Sequence, residues 1–466
     1  MILFTILLIP YILGANDFEE YNKNNWQDKS KDMVRYDNYS VIRINCNENT
    51  SPEKLNSWLE KFEEKYANHN NNNFQMEKHS FDIWATAHNL RRYADVLVSP
   101  DIVYMFKQSL IKEGFKDYKI LHKNVQKHLE REKRTLKRHE KRFARKKRSI
   151  NNFNIPFNIY TYNSVDNINS YMLSMAKNNP SLVQLFNVTK TYEKRDMLGL
   201  KIGIPGLYKP AIFIDAGVHA REWIAPASAL YVIDQLITKY NKNDDIRYII
   251  EKFDWYIVPL ANPDGYQYSM DQDRMWRKTR SMNKTISKWC IGTDANRNWG
   301  YKWGEIGANR SPCSNIYSGS EPFSEIETRA IKDFITYNVE DPQIYISLHS
   351  YGQVFLAPWG YTNDLPSNHN DQKIAALQAL EEIKNIGGAE YLFGTISEMM
   401  YPASGTSIDY MQNYGVPYIY GIELRPGDDD IYGFNIPPKY IEPTGKELLG
   451  ACIKLCRYAL SKSGFN

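Results

Sequence analysis

The sequence predicts an α/β protein: a mixed sheet flanked by helices, preceded by a small α+β unit. Three observations predict it. Apolar runs such as Trp255–Leu260 lack polar alternation, as strands buried on both faces do. The stretch Pro210–Tyr240 reads as a buried strand, Ala211–Ile214, then a turn, then a helix. That helix repeats Leu230, Ile233 and Ile237 at helical spacing, and its first turn tolerates Pro226. Between Val34 and Leu121 the patterns run strand, helix, strand, strand, helix, strand, which suggests an open sandwich.

Taken in order, residues 1–15 read as a signal peptide. The apolar stretch Ile2–Leu13 is shorter than the roughly 20 residues a bilayer span needs, and Gly14–Ala15 is a small-residue end. The alternative is an uncleaved anchor. No later segment reads as a membrane span, so no membrane partner is expected. In the α+β unit, Val41–Ile44 alternates like a strand, and Ser51 caps a helix through Tyr66. Phe81–Trp84 and Ala94–Val98 read as strands, Asp101–Glu113 as a helix, and Tyr118–Leu121 as a closing strand. One low-complexity patch, Asn-rich, spans His69–Asn73.

A charge run follows. From Lys119 to Arg148 there are 14 Lys and Arg against three Glu, whereas the whole 466-residue chain carries a net charge of only +4. The remainder is therefore net acidic, and the basic character is local. No aromatics interleave from Glu130 to Glu140, which argues against nucleic acid. Residues 122–148 read as a basic linker helix ending in a processing site, Arg145-Lys-Lys-Arg148, of the kind trypsin-like or furin-like proteases cut. A plain solvated helix and a polyanion patch are the competing readings. From Ser149 to Asn466 strands alternate with helices in one large domain, and a hydrophobic content of 42% is ample for its core.

The chemistry gathers at strand ends. His219 and Glu222 lie three residues apart where the Ala211–Ile214 strand gives way to its helix. Gln343–Leu348 runs into His349, and Pro417–Ile422 runs into Glu423. Two His and one carboxylate, with water at a fourth position, is a catalytic zinc shell, which leaves Glu423 free as a general base. A lone H-x-x-E is weak evidence; the three strand ends together are a constellation.

These residues belong to motifs that resemble the zinc carboxypeptidases of the pancreatic A/B type, in their pro-enzyme form. The motifs include His219–Trp223, Asn262–Tyr266, Trp276–Arg280, Asp294–Trp299, Leu348–Tyr351 and Tyr401–Asp409. The resemblance runs from about Met33 to the C-terminus. It implies an eight-stranded sheet, a pro-domain over residues 16–121, activation after Arg148 and a catalytic domain over 149–466. It implies one zinc ion held by His219, Glu222 and His349, with a water activated by Glu423 and the carbonyl oxygen met by Arg277. Asp294 would orient His219. Asn296 and Arg297 would clamp the substrate carboxylate and Tyr401 would close over it. Arg221 and Tyr351 would line the outer channel. Ile408, at the floor of the side-chain pocket, implies preference for aromatic or large aliphatic C-terminal residues. Leu356, Ile396, Ala403, Gly360 and Gly421 match other pocket positions, with Asp409 turned away. Gly421 reads either as extra room or as close strand packing.

Of the five cysteines, the resemblance pairs Cys290 with Cys313, a bridge worth about 3 kcal/mol on the chain-entropy model. Cys452 and Cys456 share a helix face and read as packing residues, and Cys46 as a free thiol. Sequons stand at Asn38, Asn49, Asn187, Asn283 and Asn309. The expected protein is a secreted, monomeric zymogen acting on peptide and protein C-termini. The alternatives are a peptide-binding pseudoenzyme that does not cut, a carboxypeptidase of broadened specificity, and a member of the regulatory carboxypeptidase branch. The last would lack the pro-region and begin its zinc motif His-Gly-Asn-Glu.

Overall fold

Strands in the computed structural model fall into two sheets. It describes residues 33–66, 80–88, 91–149, 157–206, 208–427 and 431–463, with the backbone alone at 139, 140 and 142–149. The expected signal peptide, the Asn-rich patch and Asp428–Asp430 lie outside the described residues.

The first sheet holds β1 (Ser40–Asn45), β2 (Phe81–Ala85), β3 (Tyr93–Val98) and β4 (Tyr118–His122), in the spatial order β2-β3-β1-β4. All its pairings are antiparallel. Ile42, Ile44, Val96 and Val98 face helices Pro52–Tyr66 and Val103–Lys112 and pack with Leu55, Leu59, Phe106 and Leu110. The alternate residues Val41, Trp84 and Leu97 face the other way and pack with Met275, Tyr351 and Phe434 of the larger unit. Period-2 alternation thus gives this sheet two apolar faces, one for its own helices and one for docking. Helix Val125–Ser149 follows and carries Arg145–Arg148 on its last turns.

The second sheet contains β5 (Val183–Lys190), β6 (Asp196–Ile202), β7 (Ala211–Ala216), β8 (Asp254–Val258), β9 (Pro342–Ser350), β10 (Val354–Ala357), β11 (Leu392–Thr395) and β12 (Tyr418–Leu424). Its order is β11-β10-β12-β9-β7-β8-β6-β5. The central strands β12, β9, β7 and β8 run parallel, while β10 against β12 and β6 against β8 are antiparallel. The mixed eight-stranded sheet expected from the sequence is therefore present. Ile212 and Ile214 of β7 pack with helices Ile224–Lys239 and Ile441–Ser463 on one face. Ala211 and Phe213 pack with Ile331, Ile335, Ile408 and Met411 on the other. Both faces being covered is why these strands read as unbroken apolar runs. Cys452 and Cys456 are buried in the first of these cores, Cys290 is bridged to Cys313, and Cys46 is unbridged, as expected.

Candidate active site

The carboxyl ends of β7, β9 and β12 open on one edge of the sheet, where ligands gather in open α/β folds. His349 on β9 and Glu423 on β12 are direct cross-strand partners. His219 follows β7 through a turn at Gly217, whose φ of 68° lies in the left-handed region. That conformation favours glycine, and a Cβ there would also press on the Leu260 side chain at 2.9 Å. The turn's Ala220 N–H donates to the Arg277 carbonyl at 3.0 Å, tying the first motif to the arginine.

His219, Glu222 and His349 converge, and all three are buried. His219 Nε2 donates to Asp294 Oδ1 at 3.1 Å, because a carboxylate only accepts. Its Nδ1 is then a bare lone pair, 2.8 Å from Glu222 Oε1 and 3.2 Å from His349 Nδ1. His349 Nδ1 is also 3.2 Å from Glu222 Oε2. Acceptors packed this closely repel unless a cation lies among them. Atoms about 2.0–2.2 Å from a tetrahedral zinc stand roughly 3.3–3.6 Å apart. The 3.2 Å separations come close to that and the 2.8 Å one is shorter, so the donor types suit the ion and its binding would draw the atoms slightly apart.

Asp294 is a hub. Besides His219, it accepts from Arg277 Nη2 at 2.9 Å and from the Asn296 N–H at 2.9 Å. Burial alone would raise its carboxyl; Arg277 and His219 outweigh burial and hold it well below the usual range. Glu423 goes the other way. Burial, then the negative charge of Glu222, pushes it up to about 7.

His219, Glu222, His349, Arg277 and Glu423 line one cavity of about 130 Å³, together with Asn296, Arg297, Tyr401 and Ile408, while Asp294 lies outside that lining. Arg297 donates to the Gly307 carbonyl at 2.7 Å and to the Tyr401 hydroxyl at 2.6 Å. Arg221 and Tyr351 line it too, but they are engaged. Arg221 Nη1 donates to Asp82 at 2.5 Å and the Tyr351 hydroxyl donates to Asp95 at 3.1 Å. Both acids belong to the N-terminal sheet, which roofs the cavity with Ile83, Trp84 and Arg91. The sequence does not single out Asp82, Asp95 or Arg91: they lie far from the motifs, and a charged residue on a strand, such as Asp82 or Asp95, or just before one, such as Arg91, carries no signal of what it will face.

Around the pocket floor, Ile408, Leu356, Ile396 and Ala403 are buried and apolar. A Cβ on Gly421 would meet nothing closer than Ile408 at 3.6 Å, so this glycine leaves room and does not serve close strand packing. Gly360 differs from its expected place. It is absent from the cavity lining, and a Cβ on it would stand 2.6 Å from the Ala403 carbonyl. Asp409 accepts from the Gly360 and Tyr361 N–H groups at 2.8 and 3.1 Å, turned from the cavity as expected. Arg274 and Arg280, which flank Arg277 in the sequence, are structural. Arg274 pairs with buried Glu132 at 2.8 Å, and Arg280 stacks 3.6 Å over Tyr268.

Residues 168–451 match the family described as zinc carboxypeptidase, and residues 72–132 match the carboxypeptidase activation peptide. The chain belongs to the zinc carboxypeptidase family. As a zinc carboxypeptidase with an activation peptide, it is a zymogen. It is 42% identical to carboxypeptidase B of Astacus astacus over 62% of this chain and 93% of that protein. It is 33% identical to zinc carboxypeptidase A 1 of Anopheles gambiae over 92% of this chain and 91% of that one. Among solved structures, carboxypeptidase A from Helicoverpa armigera superposes with a TM-score of 0.79 at 27% identity, covering 92% of this zinc carboxypeptidase and 99% of that chain. Relatives thus carry both A and B names, and the pocket must decide between them.

Proposed function

We propose that this chain is a secreted exopeptidase that removes aromatic and large aliphatic C-terminal residues once its activation peptide is cut away after Arg148. The observation that carries the specificity is the cavity floor. Ile408 and its apolar neighbours offer no counter-charge, and a Lys or Arg side chain pressed there would be desolvated without a partner, costing several kcal/mol. The methyl-sized space left at Gly421 favours bulkier side chains, Trp included.

The roles follow from position. His219, Glu222 and His349 would hold one zinc ion, which when bound supplies Lewis acidity toward the attacking water and the scissile carbonyl. Glu423 takes the proton of that water as its oxygen bonds to the carbonyl carbon, then delivers the proton to the amine as the C–N bond breaks. Desolvation raises the proton affinity of Glu423, which suits a carboxylate that must take a proton and give it up again. Arg277, oriented by Asp294, donates to the oxygen on which negative charge develops. Asn296 and Arg297 bind the terminal carboxylate, for which a planar guanidinium is apt, and Tyr401 covers it. Arg221 and Tyr351 contact residues further along the peptide once Asp82 and Asp95 depart. Secretion is supported by the N-terminal apolar segment and by the Cys290–Cys313 bridge. No described helix is long and apolar enough to cross a membrane.

The test is kcat/KM of the processed enzyme on blocked dipeptides ending in Phe, Trp, Leu, Arg and Glu. Phe, Trp and Leu should exceed Arg and Glu by about 100-fold or more, as expected from several kcal/mol of unpaired charge burial. Arg cut as well as Phe would refute the apolar floor, and Trp cut far worse than Leu would refute the added room.

A further inference from the structure

His219 has its orienting carboxylate in Asp294. Nothing in the motifs supplies one for His349, yet the fold does. Along β9, Tyr345, Ser347 and His349 alternate at period 2 and so present their side chains to one face. Across the parallel pairing, Ser347 stands opposite Asp215 of β7. Asp215 Oδ1 accepts from the Ser347 hydroxyl at 2.7 Å, and Oδ2 accepts from the Tyr345 hydroxyl at 2.5 Å. Ser347 Oγ lies 3.1 Å from His349 Nε2. Asp215, Ser347 and Tyr345 are each no more than 1% exposed, so none has water as a substitute partner.

A serine has one proton. Given to a carboxylate that can only accept, it leaves the serine oxygen as an acceptor toward the ring. His349 Nε2 must then carry the hydrogen, and Nδ1 keeps its lone pair facing His219 Nδ1 and Glu222, each 3.2 Å away. We propose that Asp215, acting through Ser347, is the positioning pair that sets the tautomer and ring orientation of His349 for metal binding. Tyr345 anchors the second oxygen of Asp215 and stops the carboxylate from turning. The two imidazoles are thus fixed by two different devices: a direct carboxylate on one, a carboxylate relayed by a hydroxyl on the other. The inference rests on His349 being a zinc ligand.

The experiment is zinc affinity of the full-length zymogen, measured by competition with a chromogenic chelator, alongside the melting temperature of the metal-free protein. Ser347→Ala should weaken zinc binding by about 10- to 100-fold, the range for loss of an outer-shell partner. Its metal-free melting temperature should stay close to that of the unmodified protein. Ser347→Thr, which keeps the hydroxyl, should stay within about threefold of unmodified affinity, on the same outer-shell reasoning. His349→Ala is the control for the underlying site. If His349→Ala leaves zinc affinity intact, the site reading itself fails. If His349→Ala abolishes binding while Ser347→Ala binds zinc as tightly as the unmodified chain, the relay alone is overturned. The relay is also overturned if Thr and Ala lose affinity equally while both metal-free proteins melt normally.

Discussion

At the residue scale, the proposed roles give one carboxylate a proton to move and another a metal to hold, and environment divides the tasks. Glu222 sits between two imidazoles and is pulled down by them despite burial. Glu423, half-buried near Glu222, is pushed up to about 7 by desolvation and by that neighbour's negative charge. The division predicts a clean outcome for Glu423→Gln. The amide has nearly the same shape and Glu423 is not one of the three groups that would hold the metal, so zinc content should be unchanged. It cannot accept the water's proton, so kcat should fall by about 100-fold or more, the usual worth of a general base. Metal analysis and steady-state kinetics on the processed protein check both halves. A variant retaining more than about a tenth of kcat would place the base elsewhere.

At the scale of elements, the activation peptide acts through its strands. β2 brings Asp82 to Arg221, with Asn315 donating to the same carboxylate at 2.8 Å. β3 brings Asp95, which Arg43 clamps at 2.8 Å, to Tyr351. These contacts occupy the outer channel, whereas Arg297 bonds only within its own unit among the described contacts. The Arg221–Asp82 pair is buried on both sides, and removing one partner of such a pair typically costs 3–5 kcal/mol. Asp82→Ala should therefore loosen the roof, and the uncut zymogen should hydrolyse small blocked dipeptides faster than the unmodified zymogen does. Identical background rates would show that the block lies elsewhere on the roof.

At the scale of the whole molecule, residues of both sheets line one cavity. The N-terminal sheet docks through its second apolar face, and helix Val125–Ser149 is pinned early by the buried Glu132–Arg274 pair. Its far end, carrying Arg145–Arg148, extends well beyond that anchor. A cut after Arg148 leaves the whole basic helix with the departing peptide. The intact protein should therefore be nearly inactive, and limited digestion by a trypsin-like or furin-like protease should release full activity with a new N-terminus at Ser149. Time courses of activity against N-terminal sequencing check this. Equal activity before and after the cut would overturn the zymogen mechanism.

How much of this was legible beforehand differs with the kind of contact. Periodicity marked strands and helices, because burial on one face or two writes itself into local sequence. Strand exits marked His219, Glu222, His349 and Glu423, because a polar residue ending an apolar run is conspicuous, and the motifs around Arg277, Asn296, Arg297 and Tyr401 are compact. Those the sequence determined by itself. The partners of Arg221 and Tyr351 were not legible, since Asp82 and Asp95 lie more than a hundred residues away on strands with no motif. The room at Gly421 was an open choice until the distance to Ile408 showed space in place of a close approach. The Asp215–Ser347–His349 alignment depends on the register between β7 and β9, and a slip of one residue would turn Ser347 to the other face. Register is set by the packing of both sheet faces at once, so only the tertiary structure decided it.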